Sequence, residues 1–158
     1  MIDYYMLIVM TQFFSDEDNI YSVDMLIAYV NLFKPHVVRV PTKKIITNLT
    51  DPCWGEPEEN IYITPLQVIA NPEEYPEHAR RIQEADLTYP IILNSRNCVI
   101  DGVHRLAKTI ETNQRSIKAY IIDDKLLEKF LVDFSGDWGV KDQLALHDQI
   151  EMFYKRFM

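Results

Sequence analysis

Asp101-Gly102-Val103-His104-Arg105 places a carboxylate, a residue without a side chain, an imidazole and a guanidinium side by side, with Lys108 one turn beyond His104. These residue types suit oxyanion chemistry if a helix begins at Val103. A helix N-terminus exposes backbone N–H groups with no intrahelical partner and carries roughly half a positive charge. Gly102 has no Cβ, so a ligand's phosphate can come close to the backbone. An imidazole and a guanidinium fork in the first turn add donors matched to phosphate oxygens.

Gly102, Val103, His104, Arg105 and Lys108 are therefore the candidate phosphate-binding residues, and Asp101 and His104 the candidate catalytic ones. Each has a plainer alternative. Asp101 either caps the helix or acts as a carboxylate that deprotonates a hydroxyl or holds Mg²⁺ beside nucleotide phosphates. His104 is otherwise a core or capping histidine. Arg105 is otherwise an ion-pair partner of Asp101 or of an acidic flank. Lys108 is otherwise a solvated lysine, and Val103 belongs to an apolar stripe that can also floor a pocket.

The elements that must position these residues read as strand, turn, strand, glycine, helix, strand. Ile91 to Leu93 and Val99-Ile100 are short apolar runs around the turn Asn94-Ser95-Arg96-Asn97. From Val103 the period changes: Val103, Leu106, Ala107 and Ile110 stand at i, i+3, i+4, i+7, one face of a helix. Asn113 ends it, and Ile117 to Ile122 returns to strand character.

In this context Val99 to Ala107 resembles the glycine-X-His-Arg motif of the ParB/sulfiredoxin superfamily, which includes ParB partition proteins, sulfiredoxins and ParB-like free-serine kinases. The resemblance covers roughly Val37 to Val132. It implies an α/β (α+β) core, a small mixed sheet with packed helices, and a site for ATP or another nucleotide with Mg²⁺. The kinase members carry an acidic residue at this motif, which favours a chemical role for Asp101. Sulfiredoxins place their catalytic cysteine immediately before the His-Arg pair. Valine stands there in this chain, so the sulfur-linked chemistry is not expected. Cys98 lies five residues earlier, in an expected strand.

Composition sets the outer limits. The chain has 158 residues, 47% hydrophobic and 25% charged, which reads as one globular domain. The segments 1–36 and 133–158 read as extensions packed on the core. The net charge of −8 disfavours, without excluding, a nucleic-acid partner. Between Pro90 and Tyr120 the balance reverses, with Arg96, Arg105, Lys108, Arg115 and Lys118 against Asp101 and Glu111. A small anionic ligand fits that distribution better than a long polyanion. Two cysteines make no disulfide framework, and the apolar stretch Met1–Met10 is too short to span a bilayer. A cytoplasmic protein without a membrane partner is expected. His36, His78, His104 and His147 are scattered, so no zinc site is expected.

Around this centre, Ser15 to Asn19 reads as a loop, and Ser22 caps a helix over Val23–Phe33 whose Met25, Leu26, Tyr29, Val30 and Phe33 face the core or an oligomer partner. Val37 to Val40 is β-rich, and Pro41 suits a helix start followed by Lys43 and Lys44, candidate rim residues. In the Pro- and Gly-broken stretch Asp51 to Asn60, Trp54 is either a lid over the ligand or folded onto the core. Thr64-Pro65 and Tyr75-Pro76 start helices, and Glu77 can pair with Arg81. Asp123-Asp124 caps a helix expected to run to Val132. Gly136 to Gly139 reads as a turn, and a last helix from about Asp142 to Phe157 half-buries Leu144, His147, Ile150, Met152, Phe153 and Tyr154.

Three functions remain open at this level. The first is phosphoryl transfer or nucleotide hydrolysis at Asp101–Arg105. The second is a non-enzymatic nucleotide-binding or partner-binding module of the partition type. A nuclease ranks third, for want of a carboxylate cluster that would hold two metals.

Overall fold

The computed structural model describes residues 12–16, 19–56, 59–133 and 146–158. In chain order these form β1 (Phe13–Asp16), β2 (Asn19–Ser22), α1 (Val23–Phe33), β3 (Val38–Pro41), α2 (Pro65–Ala70), α3 (Pro76–Glu84), β4 (Ile91–Asn94), β5 (Val99–Asp101), α4 (Val103–Glu111), β6 (Ser116–Ile122), α5 (Asp124–Leu127), β7 (Leu131–Asp133) and α6 (Leu146–Phe157). The fold is α/β, with mixed helices and two small sheets. The chain divides into two compact units: His36–Ile122, and Met1–Pro35 together with Asp123–Met158.

His36–Ile122 holds a four-stranded sheet in the order β3-β6-β4-β5. β4 runs parallel to β6, while β3–β6 and β4–β5 are antiparallel. The parallel pair exists because α4 carries the chain back across the sheet between them. Leu106 and Ala107 are fully buried, and Val103 and Ile110 pack partly buried on the same core as Ile91, Leu93, Ile117 and Ala119. The i, i+3, i+4, i+7 stripe is therefore the buried face.

Local chemistry fixes the ends of these elements. Thr64 and Gln67 form a reciprocal capping box with Pro65 at the first helical position of α2. Pro41 closes β3 rather than opening a long helix, and short 3-10 turns follow at Thr42–Lys44 and Ile46–Thr50. The β4–β5 hairpin turns on buried Asn94, whose Oδ1 accepts from the Arg96 and Cys98 amides at 2.9 Å each. Asn48 clips that hairpin from outside, donating Nδ2 to Asn97 O at 2.9 Å and accepting from the Val99 amide at 3.0 Å.

The second unit has a three-stranded antiparallel sheet, β1-β2-β7. Ser22 caps α1 by accepting from the Met25 amide at 3.1 Å, and its hydroxyl donates to Gln149 Oε1. Three expectations change here. Within the expected loop Ser15–Asn19, Ser15 and Asp16 belong to β1 and Asn19 to β2, with Ser15 paired to Ile20 and Asp16 to Asn19. The helix expected to reach Val132 stops at Leu127, passes through a 3-10 turn at Glu128–Phe130, and becomes β7 against β2. Along α6 Phe153 is buried and Met152 half-buried, but Ile150 and Tyr154 are exposed, and the His147 side chain is 80% exposed. The expectations for Met1–Met10, Gly136–Gly139 and Leu144 lie outside the described residues.

Candidate functional site

The motif lies where β5 hands over to α4. Asp101 ends β5, Gly102 follows with φ of 108°, and α4 begins at Val103 without a side-chain cap. A Cβ on Gly102 would sit 2.5 Å from Ile91 Cγ2, so glycine is required here by φ and by packing on β4. The first turn of α4 opens with the Leu106 amide donating to Gly102 O at 3.0 Å. The amides of residues 103–105 precede that bond and have no carbonyl four residues back within the helix.

Arg105 and Asp101 form an ion pair at 2.7 Å, with side chains 18% and 24% exposed. The same guanidinium donates through Nη1 to Pro90 O at 2.7 Å and Tyr89 O at 3.1 Å. Arg105 therefore ties the end of β5 to the strand entry at Tyr89-Pro90. Asp101 is not a helix cap; its Oδ2 takes the ion pair, and Oδ1 has no hydrogen-bond donor among the described residues. Lys108 points elsewhere, donating Nζ to Gln83 O at 2.8 Å and Ala85 O at 2.7 Å, where it closes the C-terminal end of α3. Lys43 and Lys44 are exposed on the 3-10 turn after β3 and make no hydrogen bond to the motif.

His104 is the centre of a feature that sequence reasoning missed. Its Nε2 lies 3.2 Å from Nδ1 of His78 on α3. The Trp54 ring covers both imidazoles, 4.3 Å from His104 and 4.5 Å from His78, nearly parallel to each. Trp54 is held by its amide bond to Ile63 O at 3.2 Å, next to Gly55, which the Ile61 backbone approaches too closely for any side chain. Trp54 packs against the core and covers His104.

Burial pushes the His104 imidazole down to about 4, with the His78, Arg81 and Arg105 charges adding to the effect. His78 is lowered too, by burial first and then by Arg81, against opposing contributions from Glu77 and the Trp54 backbone. Both rings are neutral at neutral pH. Two neutral imidazoles joined by one hydrogen bond leave one outer nitrogen as an N–H donor and the other as an unprotonated acceptor. The pair can therefore take up a proton on one side and release one on the other.

The comparisons add no relative. No family model, curated protein or solved structure matches the chain. Among the described residues no three His, Cys, Asp or Glu side chains gather where a metal ion could sit, and no helix is long and apolar enough to cross a membrane. Cys98 ends the β4–β5 turn, with its amide on Asn94.

The structure thus brings together Asp101, Gly102, Val103, His104 and Arg105, adds Trp54 over His104, and leaves Lys43, Lys44 and Lys108 outside the hydrogen-bonded cluster. His78 carried no sequence signal, because its partner is supplied by the packing of α3 on α4.

Proposed function

We propose that His36–Ile122 is a ParB/sulfiredoxin-like unit that binds the phosphates of a nucleotide at the start of α4 and transfers or hydrolyses the terminal phosphoryl group. The observation that carries this reading is the His78–His104 pair, with His104 in the first turn of an uncapped, glycine-led helix and His78 reaching it from α3. The nucleotide supplies the transferable phosphoryl group and brings Mg²⁺ with its phosphates. The amides of Val103, His104 and Arg105 hold phosphate oxygens. The unprotonated nitrogen of the histidine pair takes the proton from the attacking hydroxyl or water. Asp101 orients that hydroxyl, or the nucleotide-bound Mg²⁺, through Oδ1. Arg105 fixes Asp101 and the Gly102 turn. Val103 stands where sulfiredoxins, which the motif resembles, carry cysteine, so no thiol takes part. Two unpaired cysteines, Cys53 and Cys98, suit a reducing cytoplasm.

A second reading, a non-enzymatic nucleotide-binding module, is favoured by one observation: Arg105 and Lys108 are both committed to internal acceptors. Calorimetric titration with ATP, ADP, CTP and GTP, with and without Mg²⁺, tests the binding. At least one triphosphate is expected to bind and to shift the amide resonances of residues 103–105. If no nucleotide moves those resonances, both readings fall. Phosphate release or transfer separates them. His104→Phe keeps the stack under Trp54 but removes the nitrogens, so it should abolish turnover and retain binding. Binding without turnover in the unaltered chain establishes the second reading.

A further inference from the structure

A cavity of about 590 Å³ opens one turn further along α4, between the chain segment at Glu84–Thr88, Lys108 and the β3–β6 ladder. None of Gly102, His104 or Arg105 lines it. Its β wall carries Arg39 and Lys118, which are cross-strand partners in the β3–β6 register and so point from the same face. Like charges directly opposite each other destabilise a sheet. The chain has 24 acidic residues against 16 basic, yet neither side chain has a carboxylate partner among the described residues. Among the described residues the Arg39 guanidinium makes one hydrogen bond, a long one of 3.4 Å to Ser116 Oγ, and Ser116 also lines the cavity. The two carboxylates on the facing wall are already occupied: Glu84 by Arg80 at 2.9 Å, and Asp86 by the Thr88 amide and hydroxyl.

We propose that this cavity is a binding site for a small molecule bearing a phosphate or carboxylate group, with that oxyanion held between Arg39 and Lys118 and hydrogen-bonded by Ser116. The repulsion between two facing cations is relieved when the anion arrives, and the guanidinium fork and the ammonium then share its oxygens. The site is separate from the start of α4 and does not depend on the reading given above.

The test follows amide resonances of the full chain during titration with inorganic phosphate and, separately, with acetate. Saturable shifts at Arg39, Ser116, Lys118 and Thr88 are expected with at least one probe. A response to phosphate alone assigns a phosphorylated ligand, and to acetate alone a carboxylate. Arg39→Gln combined with Lys118→Gln should weaken binding at least about tenfold. Each single substitution should also raise the melting temperature in low-salt, anion-free buffer, because it removes the repulsion. A purely structural role for either side chain would lower it, and that outcome overturns the proposal. So does the absence of saturable shifts with both probes, or shifts at the cavity that the double variant retains. Shifts confined to residues 103–105 would overturn this site while supporting phosphate binding at α4. Cavity shifts with none at 103–105 would do the reverse.

Discussion

His78 and His104 meet through Nδ1 and Nε2 at 3.2 Å beneath the Trp54 ring, and the contact requires at least one unprotonated nitrogen between them. The folded-state pKa of His104, about 4, lies below the ordinary 6.5. The unfolded chain therefore binds more protons than the folded chain between those values, and stability rises with pH there. The stabilisation is complete above pH 6.5 and is lost as pH falls toward 4. The melting temperature of the unaltered chain should fall more between pH 7 and pH 5 than that of His104→Phe. Equal slopes would mean that His104 titrates normally.

Trp54 should be the group that keeps His104 unprotonated, since burial is the largest cause of the lowered pKa. Trp54→Ala should move the His104 titration upward toward 6.5, followed by its imidazole carbon-bound proton resonance. An unchanged titration would assign the burial to other neighbours.

Gly102→Ala should destabilise strongly. The left-handed φ costs about 1–3 kcal/mol for a residue with a side chain, and the contact with Ile91 costs about 1–3 kcal/mol more. Urea denaturation measures the sum. A loss below about 0.5 kcal/mol, the range of an unremarkable surface change, would show that the β5–α4 turn relaxes freely.

Arg105→Ala should cost about 1–3 kcal/mol of stability, because it leaves a half-buried Asp101 and the Tyr89 and Pro90 carbonyls without their donor. Arg105→Lys should recover only part of this, as one ammonium cannot span the three acceptors that the planar fork reaches. Full recovery in lysine would reduce the role of Arg105 to its charge.

Lys108→Met keeps the aliphatic stem and removes the donor to Gln83 and Ala85. The last turn of α3 should then exchange its amide hydrogens faster, with a global loss of about 0.5–1.5 kcal/mol. Unchanged exchange at the end of α3 would contradict the closing role.

What could be read from the sequence was mostly local. The stripe Val103, Leu106, Ala107, Ile110 fixed α4 because side chains three and four apart share a face. Ser22 and Thr64 announced their helices because capping needs only a near neighbour. Glu77 and Arg81 pair as their spacing implies, at 2.7 Å. The illegible parts depend on distant partners. Leu126, Leu127, Phe130 and Leu131 have helical spacing, but the backbone of Leu131 pairs with Tyr21 and becomes strand. His78 finds His104 only after α3 packs on α4. The fate of Arg105 turned on whether the Tyr89 and Pro90 carbonyls faced it, which no spacing rule reports.

The pairing of β3 with β6 joins Val38 to Ala119 and Pro41 to Ser116, so the strand made first waits for the strand made last in this unit. At ordinary elongation rates of 5–20 residues per second the ribosome needs roughly 4–15 s to travel from one to the other. During that interval the nascent chain carries a β-rich segment whose hydrogen-bonding edge has no partner, and Val40, buried later, is open to other chains. Folding of the unit is therefore completed only once Ile122 has cleared the exit tunnel. Polysome crowding and translational pausing between these strands become determinants of yield, a pressure that the finished protein no longer displays.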